Sequence, residues 1–197
     1  MSLNKWNFIL IAGVVFALIA GSIPPSKMVI PVQGATRHDW NHQTFWNERW
    51  GRSGVHKGID IFSTVGQPVI SASHGIVVYT GKRPLGGNAV VILGPRWQLH
   101  YYAHLKDIDT RFLSLVKRKE NIGSVGRTGN AKNKPAHLHY SVMSLLPMPW
   151  RSDKSKQGWK KAFFMDPTYL LLSGHQIKLA KKSPQYRTER TLAENSY

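Results

Sequence analysis

Between Gly58 and Met143 the chain reads as a succession of short β-type runs broken by turn residues, and this pattern limits the fold more than any other feature. The runs are GIDIF (58–62), PVISA (68–72), GIVVYTG (75–81), NAVVILG (88–94), WQLHYYAHL (97–105), SVGRTG (124–129) and HLHYSVM (137–143). Turn signals separate them at Gly66, over Pro84–Gly87, at Gly94-Pro95 and at Gly129-Asn130. Many short strands at close spacing, with almost no helical period, predict an all-β domain with a compact antiparallel sheet. Residues 106–120 are expected to hold one short helix or a basic loop.

The flanks differ from this middle. Residues Phe8 to Ala20 are apolar or small and uncharged, with Lys5 before them and Gly21-Ser22-Ile23-Pro24-Pro25 after. That is the layout of a secretory signal, and extension from Trp6 to Ile23 gives a marginal membrane span, since a span needs about 20 residues. Residues 1–24 are therefore expected to form a hydrophobic helix acting as signal peptide or membrane anchor. Residues 25–50 read as a linker and a Trp-rich lead-in that packs by its aromatics, residues 51–172 as the folded domain, and residues 173–197 as a basic, flexible tail.

Charge and cysteine narrow the chemistry. The 197 residues carry 27 Lys+Arg against 10 Asp+Glu, a net charge of +17, with 9 His and no Cys. The excess is spread: residues 82–134 are net +8 and residues 151–197 net +6. This favours an anionic partner rather than a nuclear-type basic cluster. An export segment places that partner outside the cytoplasm, so nucleic acid is not expected, and an anionic lipid surface or an acidic wall polymer is. The missing cysteines exclude a disulfide scaffold, a thiol nucleophile and a Cys-based zinc finger, so any transition metal must sit on histidine and carboxylate.

Three short motifs concentrate the histidines. In His56-Lys57-Gly58-Ile59-Asp60 the two ends would lie about 13 Å apart on a flat strand, too far for one ion. Gly58 and the following IDIF suggest a bend, with His56 on the loop and Asp60 entering the strand. In His137-Leu138-His139 the two imidazoles share one strand face about 7 Å apart while Leu138 faces the core. In Tyr102-Ala103-His104-Leu105, alternation puts His100, Tyr102 and His104 on one face. A catalytic zinc site needs three N/O ligands and one open position. His56, Asp60 and a histidine of the 137/139 pair supply such a set, with spare imidazoles to move a proton or hold an oxyanion. Spacing alone does not choose between His137 and His139.

The segments H-K-G-I-D-I, G-N-A-V-V-I, Y-A-H-L, G-S-V-G-R-T-G and H-L-H-Y, in this order, strongly resemble the lysostaphin-type, or LytM-domain, zinc metallopeptidases. The resemblance covers roughly residues 50–145. It implies a lysostaphin-like fold (a duplicated hybrid motif), one Zn2+ per chain on His56, Asp60 and His139, and catalytic histidines at His137 and His104. Tyr102, beside His104, and Asn88 of G-N-A-V-V-I are expected to contact substrate. The stretch Lys119-Glu120-Asn121-Ile122-Gly123 departs from the family's usual Gly-Gln-x-Ile-Gly and reads as a variant loop with a basic rim. The resemblance implies an exported, envelope-located endopeptidase, expected to be monomeric, that hydrolyses peptide bonds of peptidoglycan. The alternative is a catalytically silent wall-binding regulator that activates a partner amidase. All five site positions are filled, which favours the enzyme.

Overall fold

In the computed structural model, residues 4–22, 28–50 and 53–172 are described. The expected basic tail, 173–197, lies outside them. The N-terminal apolar segment forms helix α1 (Lys5–Ser22). Among the described residues, no helix is long and apolar enough to cross a membrane.

Among the described residues, the domain is built on nine strands: β1 (Ile59–Phe62), β2 (Pro68–Ile70), β3 (Gly75–Arg83), β4 (Gly87–Gly94), β5 (Gln98–Ile108), β6 (Leu115–Val116), β7 (Asn121–Val125), β8 (His137–Ser144) and β9 (Phe164–Met165). All pair antiparallel, as the short-run pattern predicts. The main path is β1-β8-β5-β4-β3-β6, β9 joins β8, and β7 bridges β5 to β2. Alternation sets the core side. Val90 and Ile92 of β4, Tyr102 of β5, and Leu138, Tyr140 and Val142 of β8 are buried and meet Ile59, Ile61, Ile122 and Val125. Each such aliphatic side chain contributes about 1.5–3 kcal/mol by leaving water.

β5 decides where the site sits. Its first half pairs with β8 from Gln98↔Ser144 to Ala103↔His139, and its second half pairs with β7 at Leu105↔Val125. Against β4 the register runs from Val90↔Tyr102 to Asn88↔Leu105, so β5 carries an extra residue there. This bulge falls at Ala103-His104, where His104 takes a left-handed φ of 65°.

Three expectations are corrected. Residues 106–120 are strand and turn rather than helix: β5 continues to Ile108 and β6 forms the sheet edge. The strand expected over 124–129 stops at Val125. The residues before the Trp-rich segment pack rather than trail as a linker, because Ile70 N–H donates to the Pro31 carbonyl at 3.0 Å and Gln33 N–H to that of Pro68 at 3.0 Å. The lead-in packs by its aromatics as expected. Trp40 and Trp46 are buried, and their indole N–H groups donate to Thr168 Oγ1 and the Lys156 carbonyl, both at 3.2 Å.

Candidate metal centre

His56 reaches the site from the lead-in, held by its own backbone. Its N–H donates to the Asn47 carbonyl at 3.0 Å, and its carbonyl accepts the Trp46 N–H at 2.6 Å. Its Nδ1–H donates to the Thr44 carbonyl at 3.0 Å, which leaves the Nε2 lone pair facing the sheet. Gly58 then lets the chain cross β8, since a Cβ there would collide with the Tyr140 carbonyl. Asp60 enters β1 opposite His139 in the register. The bend expected between His56 and Asp60 is thus present.

Three ligand atoms converge. His56 Nε2 lies 3.1 Å from Asp60 Oδ1 and 3.1 Å from His139 Nδ1, and His139 Nδ1 lies 2.8 Å from Asp60 Oδ1. His139 Nε2 is 3.0 Å from Ser141 Oγ, and donation there leaves Nδ1 as a lone pair. Two imidazole lone pairs and a carboxylate aimed at one point call for a cation. Ligand atoms about 2.0–2.1 Å from a tetrahedral ion stand about 3.3 Å apart, close to the separations here, so the set fits zinc. Among the described residues, these three are the His/Asp group that could hold a metal ion. Burial alone would raise the Asp60 carboxyl, but hydrogen bonds and charge from His139 and His56 hold it far below the usual carboxylate range. Burial lowers His139, with the Asp60 carboxylate opposing.

The other two histidines stand beside this group. His137 shares the β8 face with His139, its Nδ1–H donates to the Pro135 carbonyl at 2.7 Å, and its Nε2 is 3.8 Å from Asp60 Oδ2. His104 donates Nδ1–H to the Thr128 carbonyl at 2.9 Å and its backbone N–H to the Gly86 carbonyl at 2.7 Å. Its ring centroid is 5.0 Å from that of His137. Both carbonyls fix the Nδ1–H tautomer and leave Nε2 as an acceptor. Burial, reinforced by the neighbouring His139 and His137, lowers His104 to about 4, so it is neutral at neutral pH. Thr128 is held in turn, because its Oγ1 accepts the Asn88 N–H and donates to the Leu105 carbonyl, each at 2.9 Å. Gly87 and Gly129, at φ of 63° and 65°, let the two loops meet there, and a Cβ at Gly129 would strike the Leu85 carbonyl and the Gly87 nitrogen.

The shared face expected for His100, Tyr102 and His104 is not found, because the bulge turns His104 to the opposite side. Tyr102 is fully buried and its hydroxyl accepts the Ala72 N–H at 3.0 Å, so it is a core residue and not a substrate contact. Asn88 also stays out of the groove, its Nδ2 donating to the Lys106 carbonyl at 2.9 Å. Tyr101 takes the place expected of Tyr102. With Trp50, Leu85, Met143 and Phe164 it lines a groove of about 620 Å³ over His56, His139 and His104, with Lys57 and Arg83 as cations. Trp50 stacks on the His56 ring at 3.9 Å between centroids. Ser141, Thr128 and Trp50 lie outside the sequence expectations. Two of them had a signal there, Ser141 as the next same-face position after His139 and Trp50 as a member of the Trp-rich lead-in.

Residues 54–152 match the family model of Peptidase family M23. The chain is 35% identical over 117 residues to an L-Ala–D-Glu endopeptidase of Bacillus subtilis, a match covering 54% of this chain and 35% of that protein. It is 34% identical over 97 residues to the murein hydrolase activator NlpD of Salmonella dublin, covering 48% of this chain and 25% of that one. The chain thus spans about a third or less of these curated relatives' lengths. Among solved structures it is similar to the catalytic domain of the antimicrobial peptidase lysostaphin from Staphylococcus simulans, at TM-score 0.54 and 26% identity, covering 66% of this chain and 90% of that one.

Proposed function

Because the chain belongs to peptidase family M23, we propose that it is a zinc-dependent endopeptidase that hydrolyses peptide bonds in peptidoglycan, exported to the cell envelope. The observation that carries this reading is the convergence of His56 Nε2, Asp60 Oδ1 and His139 Nδ1 within 3.1 Å of one another, with two further imidazoles presenting acceptor nitrogens beside them.

His56, Asp60 and His139 would hold the ion. When bound, zinc supplies a Lewis acid for the scissile carbonyl and lowers the pKa of a water toward neutrality. His137 or His104 takes the proton of the attacking water at Nε2, as the water oxygen bonds to the carbonyl carbon. The other imidazole, when protonated, donates to the developing oxyanion. The proton then passes to the leaving amine as the C–N bond breaks, and the second proton of the water follows it, giving one carboxylate and one ammonium group. The fixed Nδ1–H tautomers of both histidines spare the site a reorganisation at that moment. The cations Lys57 and Arg83 at the groove suit a substrate that carries carboxylates.

The likeness to a murein hydrolase activator supports a second reading, in which the chain binds the wall and activates an amidase. Digestion of defined cross-linked muropeptides by the zinc-loaded chain, with products weighed by mass spectrometry, separates the two. Cleavage that a chelator abolishes and zinc restores supports the peptidase. Intact muropeptides, together with faster turnover by an added amidase, support the activator.

A further inference from the structure

An exposed apolar tip on the β3–β6 edge of the sheet has no part in the chemistry above. β5 ends at Ile108, and the chain returns as β6 through a turn at Arg111–Ser114. Phe112, Leu113 and Leu115 are 59%, 66% and 77% exposed, and Ile76, opposite Leu115 in the register, is 39% exposed. Val116 is buried, so β6 is anchored by one face and turns the other to water. Leu113 has a left-handed φ of 66°, which a bulky apolar residue rarely adopts. It is held there by its N–H to the Val77 carbonyl at 2.8 Å, while Val77 N–H donates to the Ser114 carbonyl at 2.9 Å. The fold keeps a strained leucine in water rather than hiding it. Contiguous exposed apolar surface of this kind marks an interaction site.

The surroundings indicate the partner. Arg111, Lys117 and Lys119 are exposed around the tip. The nearby carboxylates are engaged locally, Asp109 by the Asn121 Nδ2 at 2.7 Å and Glu120 by the Lys117 N–H at 2.9 Å. A second apolar element lies at the same end of the sheet. Ile76 pairs with both Leu115 and Leu93, so the Pro95–Trp97 turn that follows β4 stands near β6. Phe16 of α1 packs edge-on against Trp97 at 6.2 Å between centroids. Trp6, Phe8 and Leu10 of the same helix are exposed.

We propose that the Phe112–Leu115 tip docks the domain on an anionic lipid surface, with Phe112, Leu113 and Leu115 entering the headgroup–acyl boundary and Arg111, Lys117 and Lys119 meeting the headgroups. Apolar side chains ringed by cations match the two layers of such a surface. The Pro84–Gly87 loop that flanks the groove lies at the other end of β3, so docking leaves the groove open.

The test uses the full chain and phosphatidylcholine vesicles with or without phosphatidylglycerol. In flotation, Phe112→Ser combined with Leu115→Ser should lower partitioning onto the phosphatidylglycerol vesicles by about tenfold or more, with the melting temperature unchanged. Because α1 can itself meet lipid, the tip is also read directly. The chain has no cysteine, so Ser114→Cys gives a single site for an environment-sensitive fluorophore. Its emission should shift to the blue with phosphatidylglycerol vesicles and not with phosphatidylcholine alone. Wild-type partitioning of the double serine variant would overturn the proposal, as would an unshifted label on vesicles that bind the chain. A concentration-dependent shift without lipid would assign the tip to a second copy of the chain and overturn it too.

Discussion

His100 offers a test of the core beneath the groove that is independent of any metal. The residue sits on β5, fully buried, with Nδ1 2.8 Å from the Tyr140 hydroxyl; its Nε2 finds no partner among the described residues. Burial lowers it from the ordinary 6.5 to about 4. The unfolded chain therefore binds a proton at this position between those two values while the folded chain does not. Stability is full above pH 6.5, falls as the pH drops, and levels off below about 4. Each pKa unit corresponds to about 1.4 kcal/mol, so the loss is about 3 kcal/mol from this residue. That is a large fraction of the roughly 5–15 kcal/mol typical of a domain. His100→Leu removes the titration, and it also removes the Nδ1 bond to the Tyr140 hydroxyl, a pH-independent cost of about 1–3 kcal/mol, so the comparison rests on the change with pH and not on the offset at pH 7.5. Urea unfolding followed by tryptophan fluorescence, in chelator so that the site histidines titrate alike in both chains, gives the two pH profiles. The wild type should lose about 3 kcal/mol more than His100→Leu between pH 7.5 and 4. Parallel profiles would refute the reasoning, because they would mean that His100 is protonated alike in folded and unfolded states.

Two further substitutions probe the groups that hold the site. Ser141→Ala removes the partner of His139 Nε2 and frees the ring to take the wrong tautomer, so zinc affinity measured by chelator competition should fall about 10–100-fold. Thr128→Val keeps the carbonyl that accepts His104 Nδ1–H but leaves the Asn88 N–H without its acceptor. It should cost about 1–3 kcal/mol in urea unfolding while zinc content by atomic absorption stays at the wild-type level.

The strands were legible because they depend on local order, whereas the choice of His139 over His137 as a ligand came from the family resemblance. Alternation in NAVVILG and HLHYSVM carries through to Val90, Ile92, Leu138 and Tyr140 in the core. It also puts His137 and His139 on the side where β1 delivers Asp60. The bulge at Ala103-His104 was not legible. Counting by twos from Tyr102 to His104 assumes an unbroken ladder, and one extra residue on β5 reverses the result. That single residue exchanges Tyr101 for Tyr102 at the groove. The supporting groups were hidden for another reason. The Thr44, Thr128 and Pro135 carbonyls act through the backbone, and no side-chain pattern encodes which carbonyl meets a given imidazole. Of the helix or basic loop expected over 106–120, the loop is found over 109–114 and 117–120, and the two-residue strand β6 was hidden because the polar, basic surface of that stretch masks the buried Val116 that pins it to β3.

The division of labour among the histidines is the central claim, and zinc content measured together with muropeptide cleavage on the same preparations tests it most directly. The wild type should carry about one zinc per chain and cleave. His139→Ala should lose the metal and the activity, whereas His137→Ala should keep the metal and lose the activity. Undiminished cleavage by His139→Ala, or metal loss in His137→Ala with metal retained in His139→Ala, would contradict the account.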